Sequence, residues 1–260
     1  MYYIGVQIPT LQIWPERPTL AIAIVLPWLV LFWLVPGAES KRMLKAPNTS
    51  QSRRHGVMAV KTKLLEAQEH LSSLGYWIES GDAKQDLEIQ SAIIAFQKLD
   101  NLKPTGRLSS TDLEALTEAK PPAPKETGTP HVEVDLDHQV LFWVDQTGAV
   151  SKILPVSTGS GKEFTSEEWT RGAVTPPGRF LVSKKLEGWQ KSPLGLLYYP
   201  NFIVGGIAIH GAPIVPTYPA SHGCIRIPMF AAKEFSEMTP LGTVVLVYGT
   251  PRRPAEDVGN

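Results

Sequence analysis

The hydrophobic pattern of this chain changes period at a proline-rich segment that runs from Lys120 to Pro130. Before it, apolar residues recur at the three- and four-residue spacing of amphipathic helices. After it, short apolar runs bounded by turn residues are typical of strands. The chain is therefore predicted to be a multidomain α+β protein, with a three-helix bundle over 60–119, a linker over 120–129, a mainly β domain over 130–250 and a tail over 251–260.

The predicted bundle consists of three helical stretches. The first stops at Gly75, a residue suited to a helix C-cap, and the third begins after Ser109 or Ser110, either of which suits its N-cap. The linker is expected to be extended and semi-rigid, so that it gives the two modules reach. The apolar positions that define the helices are Leu64, Leu65, Leu71, Leu74, Leu87, Ile89, Ala92, Ile93, Ala95, Phe96, Leu99, Leu108, Leu113 and Leu116.

The β domain is predicted from a series of apolar runs and a single helix, Phe230 to Met238. Gly205-Gly206 lies inside the run from Ile203 to Ile209 and no P-loop lysine follows it, so a nucleotide-binding loop is rejected. The predicted strands are Val132–Leu136, Val140–Val144, Ala149–Val156, Phe180–Ser183, Ile203–Ile209 and Thr243–Tyr248, with a hairpin turn at Asp145–Gly148.

Charge and cysteine content exclude several classes of function. Lysine plus arginine and aspartate plus glutamate both number 25, so there is no overall attraction to nucleic acid. The one cysteine, Cys224, excludes an internal disulfide framework and a multi-cysteine metal site. A single cysteine in such a chain is either a packed side chain of the core or a reactive group of a functional site.

The surroundings of Cys224 favour chemistry. It follows His222 and Gly223 directly and lies fourteen positions after a second His-Gly pair that begins at His210. A thiol with imidazoles within reach suits a nucleophile and its base, because the thiolate is the reactive form and imidazole can take its proton. The alternative is a small buried hydrophobe, which is what most free cysteines are.

These residues resemble the active-site signature of the L,D-transpeptidases, the YkuD-type cysteine enzymes that cross-link bacterial peptidoglycan. The resemblance extends over about Pro130 to Tyr248, and it implies a β-sandwich catalytic domain. The loop from Ala212 to Ala220 is shorter than in many members and is expected to be compact. The matching motifs are His210-Gly211, Ser221-His222-Gly223-Cys224-Ile225-Arg226 and Thr175-Pro176-Pro177-Gly178-Arg179-Phe180.

The resemblance implies a role for each residue of the signature. Cys224 is expected to be the nucleophile and His210 its general base, oriented by a main-chain carbonyl near Gly211. His222 is the rival base, and with Ser221 it would otherwise shape the substrate pocket.

Other residues, Gly211 among them, are expected to bind the substrate or the oxyanion. The amides of Gly223 and Cys224 would donate to the oxyanion. Arg226 would bind a stem-peptide carboxylate, unless it forms a surface salt bridge. The aromatic residues Trp189, Tyr198 and Tyr199 would line the donor groove or belong to the core or rim.

The implied reaction needs no metal or cofactor. The thiolate attacks a tetrapeptide stem, D-Ala leaves, and the thioester is transferred to a diamino-acid amine of a neighbouring stem. Carbapenems are expected to acylate the same thiol. With water as the acceptor the site would act as an L,D-carboxypeptidase, and a non-catalytic wall anchor is the alternative from another class.

The helical part resembles the small three-helix peptidoglycan-binding domain over about Val60 to Ala119. The match rests on Leu74-Gly75-Tyr76 and Ala95-Phe96-Gln97-Lys98, and the family's Asp-Gly turn is replaced by Glu79-Ser80-Gly81-Asp82. Weak binding to peptidoglycan glycan is expected. The alternative is a spacer bundle without a ligand.

An uncharged run from Leu20 to Val35, interrupted only by Pro27, lies near the N-terminus. Behind a flank over 1–19, the segment 20–36 is predicted to be a membrane anchor or a cleaved signal peptide, followed by a linker over 37–59. A buried core helix is the alternative. Counting the basic residues after the run would leave the C-terminal part in the cytoplasm. We nevertheless expect the periplasm or cell wall, because peptidoglycan lies outside the membrane.

Overall fold

The computed structural model describes residues 62–79, 85–128, 130–165 and 170–252, which all belong to one compact unit. The predicted N-terminal flank, the apolar segment 20–36 and the linker 37–59 lie outside the described residues, as does most of the tail. Within the described residues, no helix is both long enough and apolar enough to cross a membrane.

The helical part contains α1 over residues 62–73, α2 from Gln85–Leu99 and α3 from Ser110–Glu118. At the end of α1, the Tyr76 amide donates to the Leu71 carbonyl at 3.1 Å and the Gly75 amide to the Ser72 carbonyl at 3.0 Å, with φ +94° at Gly75. This is a Schellman C-cap, in which glycine avoids the strain of the left-handed region. The predicted C-cap at Gly75 is confirmed.

Ser109 is the N-cap of α3. Its hydroxyl accepts from the Asp112 amide, and the Asp112 carboxylate accepts from the Ser109 amide at 2.6 Å. The two bonds form a capping box, which satisfies two backbone donors that the helix cannot pair internally. Of the two predicted N-caps, Ser109 is therefore the correct one.

The β part contains two main sheets, a small two-stranded sheet and one helix, so the predicted mainly β domain is confirmed. The first sheet has the order β3-β2-β1-β12-β6, and the second has the order β11-β10-β9-β7, with β8 also paired to β9. The strands are β1 His131–Asp135, β2 Val140–Val144, β3 Val150–Pro155, β4 Glu163–Thr165, β5 Thr170–Gly172, β6 Gly178–Leu181, β7 Lys184–Lys185, β8 Trp189–Ser192, β9 Gly195–Val204, β10 Ile207–Ala212, β11 Ile225–Pro228 and β12 Val244–Tyr248, and the helix is α4 Met229–Met238.

Both main sheets contribute to one hydrophobic core. Val132 and Leu141 of the first sheet pack in the same cluster as Ile209 and Ile225 of the second, and Phe235 of α4 completes it. Burial of such side chains is the main favourable term in folding. The core therefore holds β10 and β11, the strands that carry the predicted signature, in a fixed position.

One predicted strand is wrong. The run from Ile203 to Ile209 is split by a turn at Gly205-Gly206, which joins β9 to β10. These glycines have φ +52° and +83°, and two consecutive residues with positive φ are what a two-residue hairpin turn needs. The short strands β4, β5, β7, β8 and β11 were not predicted, because they have too few residues to show a period.

The helical part packs directly on the outer face of the first sheet. Val140 and Phe142 of β2 lie in the same core cluster as Phe96 of α2, while Leu141 and Trp143 face the other core. Both faces of β2 are therefore covered.

The segment between α1 and α2 adds to this docking. The Trp77 amide donates to the Ile153 carbonyl at 3.1 Å, and the Ile153 amide donates to the Gly75 carbonyl at 2.8 Å. The indole of Trp77 is buried in the core of the β part.

The proline-rich segment is attached to the sheet at its end. The amides of Lys125 and Glu126 each donate to the fully buried carboxylate of Glu133 in β1, at 2.8 Å. The expectation that the segment gives reach between separate modules is therefore corrected. The two parts share a core, so they behave as one body.

Candidate active site

Cys224 and His210 are positioned by two neighbouring parallel strands. In the register of β10 and β11, Ile209 lies opposite Ile225 and His210 opposite Arg226, and Cys224 is the residue directly before β11. Cys224, His210, His222, Ser221 and Arg226 all line one cavity of about 570 Å³. The structure therefore brings together the side chains that the sequence singled out.

The ring of His210 is held in one orientation. It is only 4 % exposed, and its Nδ1 lies 2.9 Å from the Gly211 carbonyl. Because a carbonyl only accepts, Nδ1 carries the hydrogen and Nε2 keeps a free lone pair. Burial lowers the pKa of His210, the bond to Gly211 opposes this, and the charge of Arg226 adds to the lowering. His210 is therefore a neutral imidazole near pH 7.

The thiol of Cys224 is also neutral at rest. Burial raises its pKa above the ordinary value, and a backbone hydrogen bond from Ala208 and the charge of Arg226 oppose the rise. Its Sγ lies 4.0 Å from the Gly206 carbonyl, which can accept its hydrogen. The arrangement favours a thiol that is deprotonated as it attacks rather than a preformed ion pair.

Ser221 organises the turn before Cys224. Its hydroxyl donates to the Cys224 carbonyl at 2.6 Å and accepts from the Gly223 amide at 3.0 Å. The Gly223 amide is therefore already occupied, which differs from its expected role as an oxyanion donor. Gly223 has φ +127°, and an added Cβ would lie 3.0 Å from the Val174 carbonyl oxygen, so the turn requires glycine there.

Gly211 acts through its backbone and does not line the cavity. Its carbonyl holds His210, and an added Cβ would lie 2.5 Å from the Cβ of Ala232 on α4. Glycine at this position lets α4 approach β10 closely. A direct contact of Gly211 with substrate, as expected from sequence, has no counterpart in this geometry.

His222 and Arg226 differ in their surroundings. His222 is exposed, and its ring packs edge-on against Phe164 with centroids 4.9 Å apart. Arg226 is half-buried, and within the described residues it forms no ion pair. The alternative of a surface salt bridge at Arg226 therefore has no support in the described part of the chain.

Several residues of the cavity wall were not identified from sequence. The β8–β9 hairpin contributes its tip, including Leu194 and Leu196, which are 47 % and 62 % exposed. The cavity wall also includes Phe164, Arg171 and Ile214. The available signal was a group of apolar residues around Pro193 and Gly195, a combination that indicates an exposed turn.

The predicted aromatic residues lie elsewhere. Trp189 and Tyr198 line a second cavity of about 580 Å³ beside α2 and α4, and Tyr199 packs against the core. Within the described residues, no group of three or more His, Cys, Asp or Glu side chains converges to hold a metal ion.

Family comparisons match both parts of the chain. Residues 129–247 match a model described as the L,D-transpeptidase catalytic domain, and residues 61–116 match a model of a peptidoglycan binding domain. No protein of curated function matches significantly.

Several solved structures are similar to this chain. An L,D-transpeptidase from Xylanimonas cellulosilytica is 36 % identical, with 72 % of this chain and 93 % of that one covered and a TM-score of 0.67. One from Stackebrandtia nassauensis is 26 % identical, with 74 % and 92 % covered and a TM-score of 0.45. A mutant L,D-transpeptidase from Enterococcus faecium is 28 % identical, with 47 % and 50 % covered and a TM-score of 0.37.

Proposed function

The chain belongs to the L,D-transpeptidase family, and on that premise we propose that Cys224 is its nucleophile and His210 its general base. The protein is a peptidoglycan L,D-transpeptidase, an acyltransferase that acts in the cell envelope outside the cytoplasm. One observation carries the residue assignment. Cys224 and His210 line the same cavity, and the bond from Nδ1 to Gly211 leaves Nε2 of His210 free to take a proton.

The proposed reaction has two acyl-transfer steps. Cys224 Sγ attacks the carbonyl between the L-centre and D-Ala of a tetrapeptide stem while His210 takes the thiol proton. The carbon–nitrogen bond breaks, His210 returns the proton to the departing D-Ala amine, and a thioester remains. A diamino-acid amine of a second stem then attacks the thioester, its proton passes to His210, and the thiol of Cys224 is restored.

Two groups of the protein are proposed to bind the negative charges of the substrate. With the Gly223 amide bound to Ser221, the Cys224 amide is the proposed donor to the oxyanion, a contact worth ~3 kcal/mol in comparable enzymes. Arg226 is proposed to bind a stem-peptide carboxylate, because its guanidinium can make two parallel bonds to one and it has no ion pair within the described residues. Ser221 and His222 are proposed to shape the pocket.

His210 is preferred over His222 as the base. A buried ring with one nitrogen already bound has a single orientation, whereas the ring of His222 is exposed and packs edge-on against Phe164. A fixed base loses less entropy when the transition state forms.

The helical part is proposed to contact glycan weakly and to keep the site near its polymer substrate. The segment 20–36 is proposed to target the chain to the envelope, either as a retained anchor or as a cleaved signal, on the strength of its apolar run. N-terminal sequencing of the protein from both the membrane and the soluble fractions of its native cells would separate these two outcomes.

Purified muropeptides test the proposed reaction. The full chain is incubated with tetrapeptide stems, and the products are identified by mass. We expect a dimer linked between two diamino acids, which Cys224→Ser does not form. A tripeptide without dimer would indicate the L,D-carboxypeptidase, and unchanged substrate would favour the wall anchor.

Carbapenem acylation is a second proposed property of the site. A strained β-lactam carbonyl would occupy the position of the stem carbonyl, and the thiol would open the ring. Intact-protein mass measurement should show one adduct in the wild type and none in Cys224→Ser. A wild-type thiol that reacts with iodoacetamide but not with a carbapenem would contradict this property.

A further inference from the structure

Lys98 of α2 is a buried amine at the junction of the helical part and the β part. Its side chain is 8 % exposed, and its Nζ donates to the carbonyls of Gln139 at 3.0 Å and Val156 at 2.9 Å. Lys98 lies within the match to the peptidoglycan binding domain, and both acceptors lie within the match to the catalytic domain. Within the described residues Lys98 forms no ion pair, and burying a charged amine without one is unfavourable, so its position needs an explanation.

Gln139 connects Lys98 to the segment that follows β3. Its carbonyl accepts from Lys98 and from the Val156 amide, the latter at 2.9 Å. Its side-chain oxygen accepts from the Thr158 amide at 2.9 Å, and its side-chain nitrogen donates to the Thr158 hydroxyl at 2.7 Å and the Leu136 carbonyl at 2.8 Å. With these partners Gln139 has one arrangement, and it fixes Thr158 through two bonds.

Thr158 in turn holds the segment that carries the nucleophile. Its carbonyl accepts from the amides of Ala220 and Ser221, each at 2.9 Å. The Ser221 hydroxyl then bonds the Cys224 carbonyl at 2.6 Å. A chain of hydrogen bonds, all buried except the part-buried bond from Ser221 to Cys224, therefore runs from Lys98 through Gln139, Thr158 and Ser221 to Cys224.

A second connection reaches the same turn from the neighbouring residue. The Gly159 amide donates to the Thr175 hydroxyl at 2.9 Å, and that hydroxyl donates to the Gly223 carbonyl at 2.7 Å. An added Cβ on Gly159 would lie 2.3 Å from the Ala173 carbonyl oxygen, so these segments pack too closely for a side chain there. The segment 156–160, which directly follows β3, is thus hydrogen-bonded to the turn that carries Cys224.

We propose that Lys98 and Gln139 are positioning residues for Cys224, so that docking of the helical part on the sheet sets the geometry of the catalytic turn. The inference rests on the proposed role of Cys224 as nucleophile. Its physical basis is that a displacement of ~1 Å at a reacting group can lower a rate by ~10²-fold. The helical part then has a function in the chemistry besides any contact with glycan.

The test compares Lys98→Met with Lys103→Met in the full chain. Methionine keeps most of the length and apolar contact of Lys98 but cannot donate to the two carbonyls, and Lys103 is an exposed lysine of the same module. For each variant we measure kcat and KM with muropeptides, the rate constant of Cys224 alkylation by iodoacetamide, and the thermal unfolding midpoint. We expect Lys98→Met to lower kcat by ~10-fold with KM little changed, and to alter the alkylation rate constant, because a donor that holds the turn is lost. Lys103→Met should match the wild type.

Gln139→Met provides the second variant. It removes both side-chain bonds to Thr158 and should lower kcat in the same way. If Lys98 and Gln139 act through one chain, the loss in the double variant will be clearly smaller than the product of the two single losses. This coupling is a result that two unrelated structural defects would not produce.

Failure of the inference and failure of the proposed function give different results. Folded Lys98→Met and Gln139→Met proteins with wild-type kcat and wild-type alkylation would overturn the inference alone. Multiplicative losses would also overturn it. A wild-type chain without activity on muropeptides would contradict the proposed function, and the alkylation rates would still decide the positioning role. If Lys98→Met does not fold, the test depends on Gln139→Met alone. A folded Gln139→Met protein with the kcat of the wild type would then overturn the inference.

Discussion

Cys224 and His210 carry the chemistry at the scale of single residues. Cys224→Ser is expected to abolish dimer formation, because the serine hydroxyl is far less ionised than a thiol. His210→Ala should lower kcat by ~10²-fold or more through loss of the base. His222→Ala is the matched control and should retain most activity, with product formation followed by mass. If His222→Ala lost most activity and His210→Ala kept nearly all of it, His222 and not His210 would be the general base.

The pH profile tests the same pair independently. Burial lowers the pKa of His210 from its ordinary value of 6.5, so the neutral base is already present below that pH. The rising limb of kcat/KM should therefore have its midpoint below pH 6.5. In His210→Ala the thiol must ionise unaided. Because burial raises its pKa above 9.0, the residual rate should still be increasing with pH at pH 9.0. A wild-type midpoint between 8 and 9, on the order of an ordinary thiol, would show that thiol ionisation controls the rate instead.

Gly223 tests how strictly the turn is shaped. Gly223→Ala places a side chain at φ +127° and 3.0 Å from the Val174 carbonyl oxygen. Gly128→Ala is the control, since Gly128 has φ +123° and nothing within 4 Å of an added Cβ. Both should lose ~1–3 kcal/mol of stability from backbone strain, measured by denaturant unfolding. Only Gly223→Ala should also lose activity, and equal kcat values in the two variants would show that the turn tolerates displacement.

At the scale of elements, the start of α3 depends on one side chain. Ser109→Ala removes the hydroxyl half of the capping box, and the expected loss is ~1 kcal/mol in the free energy of unfolding. Ser110→Ala is the matched control, because Ser110 is the first residue inside the helix, and it should change stability by less than ~0.5 kcal/mol. Denaturant unfolding of the full chain measures both. A larger loss for Ser110→Ala would show that the helix begins one residue later than observed.

The predicted elements that proved correct are those with local causes. Gly75 ends α1 and Ser109 begins α3 because each satisfies backbone groups within a few residues of itself. The Gly205-Gly206 turn was missed for a related reason. Glycine is compatible with a strand pattern, and only the pairing of β9 with β10 shows that the chain reverses there.

At the scale of the whole molecule, the buried amine of Lys98 links stability to pH. Burial lowers its pKa from 10.5 to about 7. Between these values the unfolded chain binds a proton that the folded chain does not, so this contribution to stability is complete above pH 10.5 and is lost as pH falls to about 7. The slope approaches ~1.4 kcal/mol per pH unit.

Lys98→Met should remove this dependence. Its free energy of unfolding, measured by denaturant between pH 7 and pH 10, should rise less steeply than that of the wild type or of Lys103→Met, by up to ~1.4 kcal/mol per pH unit. Parallel slopes in all three proteins would mean that Lys98 remains charged throughout this range in the folded state.

The sequence by itself determined the features that depend on neighbouring residues. The periods of the two halves, the helix caps and the Ser221 to Cys224 motif all follow from short-range spacing, and they were sufficient to indicate the family. His210 was identified because it ends a β-branched run with a glycine after it, a pattern that is visible along the chain.

Only the tertiary structure decided how the two parts are joined. Lys98 contacts Val156 across 58 residues of sequence, and no local pattern specifies a contact of that separation. One indication of this packing is present in the sequence. Val140 to Val144 is an unbroken apolar run, whereas a strand with one exposed face would alternate apolar and polar residues. That run was recognised as a strand, but its second buried face is explained only by the helices that pack on it, because burial is a property of the assembled fold and not of the strand alone.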